Sequence, residues 1–101
     1  RGYLGISGTD VTSDVSSAYN IPEGVFLAEV KEGSPAAKAG LCKGYVITKF
    51  DGKTISSSSE LQNLVKYYKS GETVTITAQV PENSQYSEKE FQVTLGKNEN
   101  A

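Results

Sequence analysis

The sequence predicts a small α+β domain, a partly open β-barrel or sandwich of five or six strands with two helices. The chain has 101 residues, which suits one domain with one small core. Short runs of β-branched and apolar residues recur along it, and turns rich in glycine or proline separate them. Two segments with helix-capping signals lie between these runs rather than after them. This interleaved order favours strands and helices that share one core.

The sequence signals for strands are stronger in some segments than in others. The run from Gly24 to Val30 is apolar over most of its length, and the Asp51-Gly52 turn that follows 46–50 is a strong hairpin signal. Alternation over 73–80 and 91–95 predicts two paired strands, with a polar turn from Pro81 to Ser87 between them. The predicted strands are 3–6, 24–30, 46–50, 53–55, 73–80 and 91–95.

Each of the two predicted helices has a start signal and a stop signal. Ser34-Pro35 starts the first, because serine caps the free amides of a first turn and proline suits the first helical position. Gly40 ends it. A run of serines precedes the second, at 58–69, and Gly71 follows it. Its apolar stripe consists of Leu61, Leu64, Val65 and Tyr68. Residues 9–23 are predicted to be a long connection with one helical turn near 16–19.

Composition excludes several classes of function. The net charge is −2 and lysine and arginine are scattered, so no nucleic-acid partner is expected. The longest apolar runs fall far short of the roughly eighteen residues that span a bilayer, so we expect no direct membrane insertion. The chain has no histidine and a single cysteine, Cys42, which excludes the usual catalytic triads and an internal disulfide. No metal or cofactor is expected. The start at Arg1, without a leader, predicts an excised segment.

A glycine-flanked first strand and an amphipathic helix together predict a peptide groove. A strand with an unpaired edge offers N–H and C=O groups to an added strand, and a neighbouring helix supplies pockets for its side chains. At Leu4-Gly5-Ile6, glycine lets successive backbone amides turn toward a carboxylate. Helical periodicity alone also fits a simpler interpretation, in which the same apolar residues form only the core.

Four segments resemble PDZ domains, in particular those of HtrA-type (DegP and DegS-like) trypsin-fold serine proteases. They are Tyr3-Leu4-Gly5-Ile6, 24–30, the Gly-Ser-Pro-Ala-Ala stretch within 33–41, and Val46-Ile47, and Arg1-Gly2 fits as well. The resemblance covers roughly residues 1–80 and implies a PDZ-like fold with the bacterial, circularly permuted strand order. We expect the domain to occupy 1–96 and a disordered tail to occupy 97–101. Tyr45, in place of the usual aspartate, and the long turn after Val80-Pro81 depart from the family pattern.

The resemblance also implies a set of site residues. Backbone amides would hold the terminal carboxylate of a peptide, an arginine would support it, and apolar side chains would wall the pocket for the last residue. Leu64 and Tyr67 would face the core. The implied carboxylate-binding residues are Arg1, Tyr3, Leu4, Gly5 and Ile6, and the implied groove residues are Ser7, Gly8, Leu61, Val65 and Tyr68.

The function implied is that of a non-catalytic, peptide-binding module in an extracytoplasmic bacterial serine protease. Its expected partners are apolar C-terminal or unfolded peptide segments and the protease domain of the same parent chain. Three alternatives remain open at this point. The parent is a C-terminal-processing or site-2-type protease, or the domain mainly governs protease oligomerisation, or the chain is an enzyme in its own right.

Overall fold

The computed structural model describes residues 2–97 and contains, within them, eight strands and three helices. The strands are β1 (Gly2–Tyr3), β2 (Ile6–Val11), β3 (Gly24–Val30), β4 (Val46–Phe50), β5 (Lys53–Thr54), β6 (Thr73–Glu82), β7 (Gln85–Thr94) and β8 (Gly96–Lys97). The helices are α1 (Ser13–Tyr19), α2 (Pro35–Ala39) and α3 (Ser58–Tyr67). None of the helices in this part of the chain is long and apolar enough to cross a membrane.

The main sheet is antiparallel and has β2 at one edge. Its strands follow the order β2-β3-β4-β6-β7, and β5 pairs with β4 beside this path. β1 pairs with β8 in a separate two-stranded sheet. Within residues 2–97, β2 pairs with β3 along one side and has no strand partner along the other. The sheet therefore leaves one edge of β2 open.

One apolar core lies between the sheet and the helices. It includes Phe50, Leu27 and Ile47 from the sheet and Leu61 from α3, all without solvent exposure. Leu4 and Leu95, near the two ends of the described chain, belong to the same core. The predicted α+β class is confirmed, although the helices number three rather than two and three of the strands have only two residues.

Helix α1 occupies much of what the sequence predicts to be an irregular connection. Thr12 caps its start by accepting a hydrogen bond from the Val15 N–H at 3.4 Å, and Asn20 ends it in the left-handed conformation. No residue of α1 is buried. Because a helix without a buried face has no apolar stripe, hydrophobic periodicity does not reveal it.

The hairpin of β6 and β7 is longer than predicted. The polar segment from Pro81 to Ser87, predicted to be a turn, continues both strands and leaves only Asn83 and Ser84 as the loop. Both loop residues have positive φ, 51° and 68°, as two-residue hairpin turns with the right-handed strand twist require. The pairing of Pro81 with Tyr86 corrects the prediction.

The two ends of the described chain meet in the β1–β8 pair. Gly2 pairs with Lys97 and Tyr3 pairs with Gly96. The tail predicted at 97–101 thus begins inside a strand, and its remaining residues, 98–101, lie outside the described part of the chain.

Candidate functional site

A groove lies between the open edge of β2 and helix α3. A cavity of about 220 Å³ lies in it at the end where the chain enters β2. The lining residues come from the first strands, from β3 and from one face of α3. They are Gly2, Tyr3, Leu4, Gly5, Ile6, Ser7, Glu29, Lys31, Gln62, Val65 and Lys66.

The loop between β1 and β2 directs its carbonyl groups away from this cavity. The Leu4 C=O accepts a hydrogen bond from the Ala36 N–H at the start of α2, with an N···O distance of 3.1 Å. The Gly5 C=O accepts one from the Lys31 N–H at 2.8 Å. In a planar trans peptide the N–H points opposite to the C=O, so the N–H groups of Gly5 and Ile6 point away from α2 and β3.

These amides are available to an external acceptor. Within residues 2–97, the Gly5 N–H donates no hydrogen bond, and the Ile6 N–H lies on the edge of β2 that has no strand partner. Successive backbone amides with no internal acceptor form a concave site for an anion, because each N–H carries a partial positive charge. Beside a cavity whose apolar part is formed by Leu4, Ile6 and Val65, the arrangement suits a carboxylate attached to an apolar side chain.

Gly5 is the residue that makes this loop possible. Its φ of +83° lies in the left-handed region, and a Cβ there would overlap the Cβ of Ser34. Ser34 is itself buried, and its Oγ caps α2 by accepting a hydrogen bond from the Ala37 N–H at 3.2 Å. The loop is thus pressed against a capped helix end, which holds the amides in place.

Charged side chains around the cavity carry a small positive excess. Lys31 and Lys66 line it together with one carboxylate, that of Glu29. The two lysines add to the attraction for an anion near the amides. Arg1, which the resemblance implies as a support for the carboxylate, lies outside the described residues.

Helix α3 presents a different face to the groove than the apolar stripe suggests. Of the implied groove residues on this helix, Val65 lines the cavity, whereas Leu61 is completely buried in the core. The groove wall is completed by Gln62 and Lys66, one position further along the helix. Tyr67, predicted to face the core, is 85 % exposed, which corrects that prediction.

Tyr68 anchors the end of α3 and does not line the cavity. Its backbone is extended, so the helix ends one residue earlier. Its ring packs edge-on against Phe50 with centroids 5.2 Å apart, and its hydroxyl donates a hydrogen bond to Asp51 Oδ2 at 2.5 Å. This bond, with burial and the Asp51 charge, raises the pKa of Tyr68 above its ordinary value. The Tyr68 C=O accepts from the Gly2 N–H at 2.7 Å, which ties α3 to β1.

The polar residues on the groove wall have no direct signal in the sequence. Glu29, Lys31, Gln62 and Lys66 lie among other polar residues, so hydrophobic periodicity does not separate them from a solvated surface. The spacing of Gln62 and Lys66 by four residues, which puts both on one helix face, is the signal that indicates a shared wall. The residues of the described chain include no cluster of His, Cys, Asp or Glu that fits a metal ion.

The comparisons of the sequence with known proteins agree on one family. The sequence profile of the PDZ domain matches residues 2–93. The periplasmic pH-dependent serine endoprotease DegQ of Escherichia coli is 38 % identical over 78 residues, which cover 75 % of this chain and 17 % of DegQ. The chain therefore spans less than a fifth of this curated relative.

Solved structures agree with the sequence comparison. The HtrA-type protease AlgW, solved with a decapeptide, superposes with a TM-score of 0.73 at 26 % identity, over 97 % of this chain and 30 % of AlgW. The serine endoprotease from Yersinia pestis superposes with a TM-score of 0.75 at 26 % identity, over 98 % of this chain and 30 % of that one. The chain belongs to the PDZ domain family, in the form found in HtrA-type serine proteases.

Proposed function

We propose that this domain captures the C-terminal ends of polypeptides by adding them as a strand to the open edge of β2. The observation that carries the proposal is the pair of amides at Gly5 and Ile6, which point away from α2 and β3, next to a partly apolar cavity at the end of that edge. An added strand that stops there brings its terminal carboxylate to the amides. The solved complex of AlgW with a decapeptide supports peptide binding by a relative of this kind.

The lining and the volume of the cavity favour a peptide whose last residue is apolar. Leu4, Ile6 and Val65 supply its apolar lining, and Leu4 and Val65 are almost completely buried. A volume of about 220 Å³ is below the usual range for a drug-sized ligand and suits one side chain with its carboxylate. Burial of that side chain provides most of the affinity, and the amides provide the requirement for a chain end.

In its parent protein we assign the domain to substrate sensing. The similarity to serine endoproteases supports a protease domain in the same chain as the partner that receives the binding signal. The periplasmic location in the name of DegQ supports an extracytoplasmic site of action. Apolar chain ends are exposed by unfolded proteins, so ligands of this class would report protein damage to the protease.

Isothermal titration with matched peptides tests the proposal. One peptide with an apolar last residue is prepared as the free acid and as the C-terminal amide. We expect the acid to bind at least about tenfold more tightly, because the amide cannot offer a charged acceptor to the loop. Equal affinities would contradict the carboxylate role.

A domain that only governs protease assembly predicts a different result. In that case neither peptide binds, and the amide protons of residues 4–8 exchange at the same rate with and without peptide. Exchange at these residues that slows with the acid peptide alone supports capture of chain ends.

A further inference from the structure

We propose that a contact between β2 and the start of α3 holds the empty groove narrow, breaks when a peptide binds, and thereby lowers the affinity for peptides. The contact is a hydrogen bond from the Ser58 backbone N–H to Asp10 Oδ1, with an N···O distance of 2.7 Å. It joins residues that lie 48 positions apart in the sequence. The proposal rests on the proposed function, since it concerns the regulation of the same groove.

A cavity separates β2 from α3 at one end of the groove, and the two elements touch at the other end. Ile6, Gly8 and Asp10 share the face of β2 that looks toward α3, because successive side chains of a strand point to opposite sides. Ile6 lines the cavity, whereas a Cβ built on Gly8 would lie 3.3 Å from the Ser58 Oγ. At Asp10 the side chain reaches the helix backbone. The empty groove is therefore open at Ile6 and closed from Gly8 to Asp10.

The start of α3 stabilises this closed arrangement. The first N–H groups of a helix have no partner within the helix. Ser57 satisfies one of them by accepting from the Glu60 N–H at 3.1 Å, and Asp10 satisfies that of Ser58. A carboxylate at a helix N-terminus also interacts favourably with the helix dipole. Opening the groove at this end therefore has a cost in free energy, because the Ser58 N–H loses a charged acceptor.

An added strand needs the space that the Asp10–Ser58 contact crosses. A strand paired with β2 lies about 4.8 Å from it, and every second side chain on it points to the side of α3. Beside Gly8 and Asp10 these side chains meet the start of α3, because the Asp10 side chain spans the whole gap there. The start of α3 must move away from β2, and the contact breaks. A groove that is closed most of the time binds more weakly, in proportion to the fraction that is open.

The proposal predicts that loss of the contact changes stability and affinity in opposite directions. We expect Asp10→Ala to lower the midpoint of thermal unfolding by a few degrees, because a helix start loses its partner. The same variant should bind a free-acid octapeptide with an apolar last residue about fivefold more tightly in isothermal titration, because the open groove is more populated. A residue that serves stability alone would lower the midpoint and would not lower Kd.

Two further variants control for charge and for a loosened helix start. Ser58→Pro removes the donor and keeps the Asp10 carboxylate, at the first helical position where proline is tolerated. The extended backbone of Ser57 already suits a residue before proline. We expect this variant to lower Kd as Asp10→Ala does. Ser57→Ala removes the cap of α3 and keeps the Asp10–Ser58 contact, so it should lower the midpoint and leave Kd within about twofold.

Hydrogen exchange at the Ser58 amide follows the contact directly in the unmodified chain. In the empty groove this N–H is donated to Asp10 and should exchange slowly. We expect saturation with the acid octapeptide to speed its exchange and, in the same sample, to slow exchange along the edge of β2. Slower exchange at Ser58 in the complex would show that the contact survives binding and would overturn the proposal.

The outcomes separate this proposal from the proposed function. If the acid octapeptide binds and neither Asp10→Ala nor Ser58→Pro lowers Kd, the regulatory role is overturned and the proposed function stands. The same holds if only Asp10→Ala lowers Kd, since loss of a negative charge then explains the gain, or if Ser57→Ala lowers it equally. If the acid octapeptide binds to none of these chains, the proposed function is overturned and the regulatory role with it.

Discussion

Gly5 combines two separate constraints at one backbone position. Its positive φ of 83° is a conformation that side chains disfavour, and the contact with Ser34 leaves no room for a Cβ. The first constraint is intrinsic to the backbone, and the second depends on how α2 is packed against the loop. Glycine satisfies both constraints, and the amides of the loop therefore keep the direction in which they face the groove.

Substitution at two glycines separates these constraints. Gly33 also has a positive φ, 76°, but nothing lies within 4 Å of a Cβ built there. We expect Gly33→Ala to lower the free energy of unfolding by about 1 kcal/mol, the usual cost of the left-handed conformation. Gly5→Ala should cost about 3 kcal/mol or more, because steric overlap adds to it.

Urea unfolding measures both costs, and peptide titration measures the effect on the groove. Gly33→Ala should leave Kd within about twofold of the unmodified value, whereas Gly5→Ala should raise it at least about tenfold. Equal costs for the two variants would show that overlap with Ser34 does not matter.

Helix α3 illustrates how far the sequence predicts an element and its faces. Its start at Ser58 and the bounds of β3 and β4 agree with the prediction, because capping signals and continuous apolar runs are local features. The same stripe does not say which apolar residues meet the core and which meet a groove. Leu61 and Tyr68 both belong to it, yet one lies in the core and the other anchors the helix end.

The sequence predicts the part of the candidate site that the loop before β2 forms better than the part that α3 forms. Leu4, Gly5, Ile6 and Ser7 line the cavity as the resemblance implies, because glycine marks the turn of the loop. Gln62 and Lys66 are not recognisable from hydrophobicity, because polar side chains on a groove wall resemble those of any solvated surface. The roles assigned to all these residues stay predictions.

The hydroxyl of Tyr68 offers a test of how α3 is anchored. Tyr68→Phe keeps the ring against Phe50 and removes the hydrogen bond to Asp51. We expect it to lower the free energy of unfolding by about 1 kcal/mol at neutral pH. Tyr67→Phe is the matched control, because Tyr67 is exposed and the structure gives its hydroxyl no hydrogen bond within residues 2–97. Urea unfolding should therefore show this loss of stability for Tyr68→Phe and not for Tyr67→Phe.

The same bond predicts a dependence on alkaline pH. The pKa of Tyr68 is raised in the folded chain, chiefly by the hydrogen bond to Asp51, so folding favours the protonated phenol. This contribution is fully present below the unfolded pKa of about 10 and is lost as the pH rises through the higher folded pKa. The stability difference between the unmodified chain and Tyr68→Phe should shrink above about pH 10. A constant difference from neutral to alkaline pH would contradict this assignment.

At the scale of the whole molecule, the beginning and the end of the described chain meet beside the groove. β1 leads directly into the loop that presents the amides, and β8 pairs with it. Gly96 packs so closely on Pro35 that a Cβ there would lie 2.9 Å from the proline ring. The loop is thus held from one side by α2 and from its own beginning by β8.

Two truncations test whether the end of the chain supports the site. Deletion of residues 96–101 removes β8, and we expect it to lower the free energy of unfolding by about 1–3 kcal/mol, from lost strand pairing. It should also raise the peptide Kd at least about threefold, because β1 and the loop lose their support. Deletion of 98–101 alone, the part of the predicted tail beyond β8, should change neither quantity. If removal of β8 destabilises the chain and leaves the affinity unchanged, then α2 alone fixes the loop and the meeting of the two ends serves stability only.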